Sequence, residues 1–231
     1  MPGASIADIF QQGGPVMWPL LLLSVLSLTL AIERALFWSR ALSRRESRRW
    51  QTVTDQVRKG QWREAAKSSA SDRTIFGIFA RRLVERARDQ EAGEVGLTDG
   101  DARELIESVR GPLERFGSVL STIITAAPML GILGTVVGII QSFGLLGSVD
   151  TVADPSAVAG GIAQALYTTA FGLIVALVTL FPYAIFRSLA DKAFARLETL
   201  AAIAVERSEQ ERAHPSGRVR APGRQVEPTP A

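Results

Sequence analysis

The sequence predicts an all-α integral membrane protein with three transmembrane helices and extended cytoplasmic helices, and two observations carry that fold class. Charged residues make up 21% of the 231-residue chain, yet none falls in Ile9–Ile32, Phe116–Val149 or Pro155–Phe186. Each run can cross a hydrocarbon core of about 30 Å at about 1.5 Å per residue. Buried helices of soluble proteins seldom stay uncharged for so long. The second observation is the distribution of the basic residues. Of 26 Lys and Arg, 17 lie between Arg40 and Arg115 and 8 lie after Phe186; the other is Arg34, and residues 1–33 and 147–158 have none. This contrast places the N-terminus and the 147–158 loop outside, with the long middle segment and the C-terminus in the cytoplasm.

Composition narrows the chemistry further. The chain has no cysteine, which removes disulfides, thiolate metal sites and cysteine nucleophiles, and its one histidine, His214, cannot form a metal cluster alone. A sequence pI of about 9.8 could suggest nucleic acid. The basic residues track topology instead, so no nucleic-acid partner is expected. An apolar fraction of 47% decides little by itself.

The elements follow in order. Residues 1–14 form an external interfacial segment, with Ile6, Ile9 and Phe10 on one helical face before the Gly13-Gly14-Pro15 break. Residues 15–38 form the first span. Trp18 and Trp38, twenty residues apart, match two interfacial aromatic belts, and the Leu-rich body between them suits a lipid-facing helix. Residues 1–15 carry no Lys or Arg, and the run ends in Glu33-Arg34 without a small-residue cleavage site, so this span is expected to be retained. Glu33 and Arg34 read as an ordinary surface ion pair at the cytoplasmic interface.

Residues 39–115 form a cytoplasmic helical domain. Gly60-Gln61-Trp62 reads as a turn between helices, and Ile75, Phe79, Leu83 and Val84 share one face of a helix over 75–88. After the acidic connection 89–100, Thr98 and Asp101 resemble a capping box. The helix they open is expected to continue through Gly111-Pro112 into the second span, 116–146. The 147–158 loop is external, the third span covers 159–186, and a cytoplasmic helix covers 187–208. The Pro-, Gly- and Arg-rich tail 209–231 reads as disordered, and it is basic enough to meet anionic membrane lipids.

A polar seam runs inside the second and third spans. Ser121, Thr125, Pro128, Gly131, Thr135, Gly138 and Ser142 recur at near-helical spacing, so they share one stripe. In the third span Gln164 and Thr168 lie four apart on a face that continues through Val175 to Thr179, beside Ala165, Thr169, Gly172 and Ala176. Small residues let helix backbones approach closely in lipid, and hydroxyls can bond across a helix pair or line a wet path. A threonine can equally bond its own i−4 carbonyl. Gln164 must meet a partner or water, because an unsatisfied amide in hydrocarbon costs several kcal/mol. From the residues alone the seam is an oligomeric bundle with a partly polar interior. Neither span contains Asp, Glu, Lys, Arg or His, so the chain supplies no mid-membrane group for a proton relay.

Three segments carry a resemblance to a known family. QGGPVMWPLLLLSVLSLTLAIERALFW (12–38), TAAPMLGILGTVVGIIQSF (125–143) and GGIAQALYTTAFGL (160–173) resemble the ExbB/TolQ members of the MotA/TolQ/ExbB proton channel family, in order and on the corresponding spans. The resemblance implies a homo-oligomeric ring, pentameric in the family, around a small single-span ExbD/TolR-like partner whose transmembrane Asp carries the proton. A TonB- or TolA-like protein is a further implied partner. By motif position Thr135 and Thr169 match the pore threonines, and Gln164 and Thr168 are placed with them on the ion path. Pro128, Gly131, Gly134, Gly138 and Gly172 are assigned to helix packing. The family commonly has Glu where this chain has Gln164, and a proline nearer Val178 than Pro182.

The implied function is a motor subunit in the bacterial inner membrane, coupling the proton motive force to outer-membrane import or envelope maintenance. The alternatives are a non-conducting membrane scaffold and a related ion-driven motor for gliding, defence or flagellar-like rotation. No paired acid, metal cluster or nucleophile–base set points to an enzyme, and no cofactor is implied.

Overall fold

The computed structural model describes residues 14–89, 97–146 and 155–213. The segment 1–13, most of the acidic connection, most of the 147–158 loop and the tail beyond Ala213 lie outside the described residues. Seven helices are found among the described residues: α1 (Met17–Ala41), α2 (Arg44–Arg58), α3 (Trp62–Ala70), α4 (Ile75–Asp89), α5 (Asp99–Glu114), α6 (Gly117–Leu146) and α7 (Pro155–Ala213). Within α1, α6 and α7, three stretches are long and apolar enough to cross a membrane: Met17–Ala41, Gly117–Gly144 and Val158–Ala213. The protein is therefore an all-α, multi-pass membrane protein.

The chain divides into two compact units. One comprises the chain up to Ser43 with Arg110–Phe194, and the other comprises Arg44–Val109 with the chain from Ala195 onward. In the first unit, α1 buries one face, formed by Met17, Leu20, Ser27, Arg34, Trp38 and Ala41. Met17 and Leu20 pack with Ile123 and Ala127 of α6 and Val175 of α7. The opposite faces stay apolar and open: Leu22, Val25 and Leu28 on α1, Ile132, Val136 and Ile140 on α6, and Leu173, Leu177 and Phe181 on α7 are all exposed. Such surface suits lipid or another membrane helix and not water.

Three expectations for this unit need correction. Trp38 is no outward belt residue: it is 3% exposed and meets Phe37 edge-on, with ring centroids 5.3 Å apart, whereas Trp18 is 69% exposed. Twenty residues at about 100° each put the two indoles about 200° apart round the helix, so one faces out when the other faces in.

The helix from Asp99 does not run into the second span either. α5 ends at Glu114, and Phe116 takes a positive φ of 64° before α6 begins at Gly117. Proline at 112 lacks an N–H and so leaves the Ser108 carbonyl without its helical donor. The break in turn deprives the Pro112 carbonyl of the Phe116 N–H.

The third correction explains how that break is held. Arg34 is not in a surface pair: it is 3% exposed, donates through Nε to Glu33 at 2.7 Å, and donates through Nη1 to the freed Pro112 carbonyl at 3.0 Å. Its guanidinium also lies 4.3 Å from the Phe37 ring centroid and 5.8 Å from that of Phe116.

The second unit is a soluble-type helical packing. Val53, Val57, Trp62, Ala65, Phe79, Leu83, Val84, Leu197, Leu200 and Ala204 are among its buried apolar side chains. Gly60, with φ 71°, makes the turn between α2 and α3. The capping box at α5 is present in full. Asp101 N–H donates to Thr98 Oγ1 at 3.2 Å, and Thr98 N–H donates to Asp101 Oδ2 at 3.0 Å. α7 continues through Glu209–Ala213, where the sequence suggested a disordered tail. Those last residues are tied down: Trp62 Nε1 donates to Glu211 at 3.0 Å, and Arg212 donates to the Leu97 carbonyl at 3.0 Å.

Candidate functional site

The candidate site lies where α6 and α7 meet, and small residues create it. A Cβ added to Gly131 would fall 3.0 Å from Thr169 Cα, and one on Gly138 would fall 2.9 Å from Ala165 Cβ. A Cβ on Gly172 would meet the Ala127 carbonyl oxygen at 2.5 Å, and Gly161 lies against Ser142 Oγ. The two backbones therefore approach closely along most of the seam, which only Gly and Ala allow.

That approach brings three polar atoms together. Thr169 Oγ1 donates across the helix pair to the Gly131 carbonyl at 2.9 Å, and Thr135 Oγ1 reaches the same carbonyl at 3.1 Å. The two hydroxyl oxygens are 2.6 Å apart. Two hydroxyl protons serve three short contacts, so the pair can exchange donor and acceptor roles by rotating its O–H bonds. A lone pair always remains for an incoming donor. Both side chains are half-buried. The site can pass a hydrogen bond along, but a hydroxyl pair cannot store charge near neutral pH.

Most other seam hydroxyls are occupied within their own helix. Thr125 bonds Ser121 O, Ser142 bonds Gly138 O, and Thr179 bonds Val175 O. Thr168, grouped by sequence with the ion path, is 1% exposed and donates to the Ala165 carbonyl at 2.7 Å. Its side chain faces α6: a Cβ on Gly134 would lie 2.6 Å from its Oγ1. Pro128 is half-buried within α6, one residue beyond the buried Ala127.

Gln164 is half-buried, and its Nε2 lies against Gly14, which takes a positive φ of 69° ahead of α1. The neighbour of the seam amide is thus the turn that opens the first span, not the threonine pair. Sequence reasoning missed both this neighbour and the Gly131 carbonyl. Backbone atoms leave no residue-type signal, although the Gly14-Pro15 turn was visible. Among the described residues no group of three His, Asp or Glu could hold a metal ion.

The family model described as the MotA/TolQ/ExbB proton channel family matches residues 73–199, more than half of the chain. The Synechocystis protein named ExbB-like 3 is 37% identical over 80% of this chain and 87% of its own length. ExbB-like 1 of the same organism is 35% identical over 87% of this chain and 77% of its own. The Tol-Pal system protein TolQ of Pseudomonas aeruginosa is 31% identical over 61% of this chain and 63% of its own length. Three membrane-length helices, a hydroxyl pair at the α6–α7 contact and these matches agree: the chain belongs to the MotA/TolQ/ExbB proton channel family, whose members are channel subunits and not enzymes.

Proposed function

We propose that this chain is the ring subunit of an inner-membrane proton-channel motor that works through an ExbD/TolR-like partner. The motor would drive outer-membrane import or envelope maintenance. The observation that carries the reading is the Thr135–Thr169 pair on the Gly131 carbonyl, set in two spans without Asp, Glu, Lys, Arg or His. Such a pair offers a proton carrier a hydrogen-bonding waypoint but no titratable group, so the carboxylate comes from a partner helix. In this reading Thr135 and Thr169 face the path, and Gln164 holds water at its outer end. Thr168, Pro128, Gly131, Gly134, Gly138 and Gly172 pack the helices. The positive-inside distribution supports a cytoplasmic C-terminus and 39–115 segment and an external N-terminus. The open apolar faces of α6 and α7 are available for neighbouring subunits of a homo-oligomer, pentameric as in the family.

One observation favours a second reading, a non-conducting scaffold. Both hydroxyls find acceptors inside the chain, as packing residues do. Two experiments separate the readings. Purification in mild detergent with mass spectrometry of retained proteins should recover a small single-span protein with a transmembrane Asp. Thr135→Val and Thr169→Val should abolish flux while the ring still assembles. A ring retaining no acidic partner, or variants that fail to assemble, would favour the scaffold.

A further inference from the structure

Beyond the channel, the spanning unit holds a cavity of about 360 Å³ whose wall draws on α1, the end of α5, α6 and α7. Three of its lining residues are Arg34, Arg115 and Arg187. Each closes one of the three uncharged runs: Arg34 follows Glu33 after the first, Arg115 immediately precedes the second, and Arg187 immediately follows the third. The cavity therefore lies at one membrane boundary, the basic one, where headgroups meet the protein. We propose that it binds the phosphodiester headgroup of an anionic phospholipid.

The donors suit a phosphate. Arg34 is 3% exposed, and its bonds to Glu33 and the Pro112 carbonyl use three of its five N–H groups among the described residues. Gly117 and Ser118, which open α6, also line the cavity. The first N–H groups of that 30-residue helix have no helical acceptor, and its first turn carries no acidic side chain to compete for them. Tyr183 accepts from Arg187 at 3.4 Å, which leaves its phenol O–H to donate.

The charge balance suits a monoanion. Glu33 pairs with Arg34, and Glu114 pairs with Arg110 at 3.2 Å. Arg115 and Arg187 then face Asp191, an excess of a single positive charge. A phosphodiester carries a single negative charge. Leu120 and Phe186 supply apolar wall for the glycerol and upper acyl chain, which a soluble phosphate ester would not need.

The test uses the full-length chain in mild detergent, titrated with dioleoylphosphatidylglycerol and read by native mass spectrometry. Dioleoylphosphatidylcholine and water-soluble glycerophosphoglycerol serve as comparison ligands. Arg115→Gln/Arg187→Gln should weaken phosphatidylglycerol binding by about tenfold or more. Ser118→Glu should weaken it as well while keeping the fold, because a carboxylate suits a helix N-terminus but repels a bound anion. Arg63→Gln/Arg73→Gln, with the same loss of charge outside the cavity, should leave binding within about twofold of the parent. The proposal is overturned if the cavity variants bind as the parent does, or if both double variants weaken binding equally. It is also overturned if glycerophosphoglycerol binds as tightly as the lipid, which would make the ligand a soluble phosphodiester.

Discussion

At Thr169 a hydroxyl leaves its own helix, whereas Thr125, Ser142, Thr168 and Thr179 bond back to their own turns. All five residues look alike in sequence, because period and residue type place them on a seam without saying where each proton points. The difference comes from the glycine opposite. At Gly131 the backbone carbonyl is uncovered, while at Gly134 the space is taken by the Thr168 side chain itself. Gly134→Ala should therefore destabilise the helix pair by about 1–3 kcal/mol, as overpacking does. Adding Thr168→Gly should recover part of the loss, measured as the thermal midpoint of the assembled protein in detergent. If Gly134→Ala left that midpoint unchanged, the close approach of the two helices would be wrong.

At the scale of elements, the cap of α5 and the turn at Gly60 are legible in the sequence and the break at Phe116 is not. Thr98 and Asp101 announced the start of α5 because a capping box lies within four residues. The Thr98 hydroxyl and N–H hold the Asp101 carboxyl below its ordinary range, with Arg86 adding to the effect. A lowered native value means the carboxylate stabilises the fold at neutral pH. That contribution is lost as pH falls from the ordinary carboxylate range through the lowered value. The protection of the first-turn amides of α5, taken relative to the intrinsic exchange rate at each pH, should accordingly fall in acid, and Asp101→Asn should remove that pH dependence. The break at Phe116 could not be read from neighbouring residues, since its holding contact comes from Arg34 on another helix. Arg34→Lys should cost about 1–3 kcal/mol, because an ammonium cannot serve the Glu33 carboxylate in fork geometry and also reach the Pro112 carbonyl. Equal thermal stability of the Lys variant and the parent would show that the break is held otherwise.

For the whole molecule, the three uncharged runs were enough to give an all-α, multi-pass protein. Twenty or more residues without charge leave few other folds in a bilayer. The partition into two compact units was less legible, because α5 and α7 each contribute to both and no composition change marks the passage at Val109 or Phe194. Burial of Trp38 was missed for a geometric reason. Spacing along the helix matches Trp18 and Trp38 to the two faces of a membrane, but rotation about the helix turns Trp38 inward. The proposed function also belongs to this scale: the chain would provide a hydroxyl-lined path, and a partner would provide the charge. The most direct test is proton flux into liposomes holding either the purified chain alone or the chain with its co-purified acidic single-span partner. Flux through the chain alone should be no greater than that of empty liposomes. With the partner present, flux should rise well above that level and be lost on Thr169→Val. Proton flux through the chain by itself would contradict the claim.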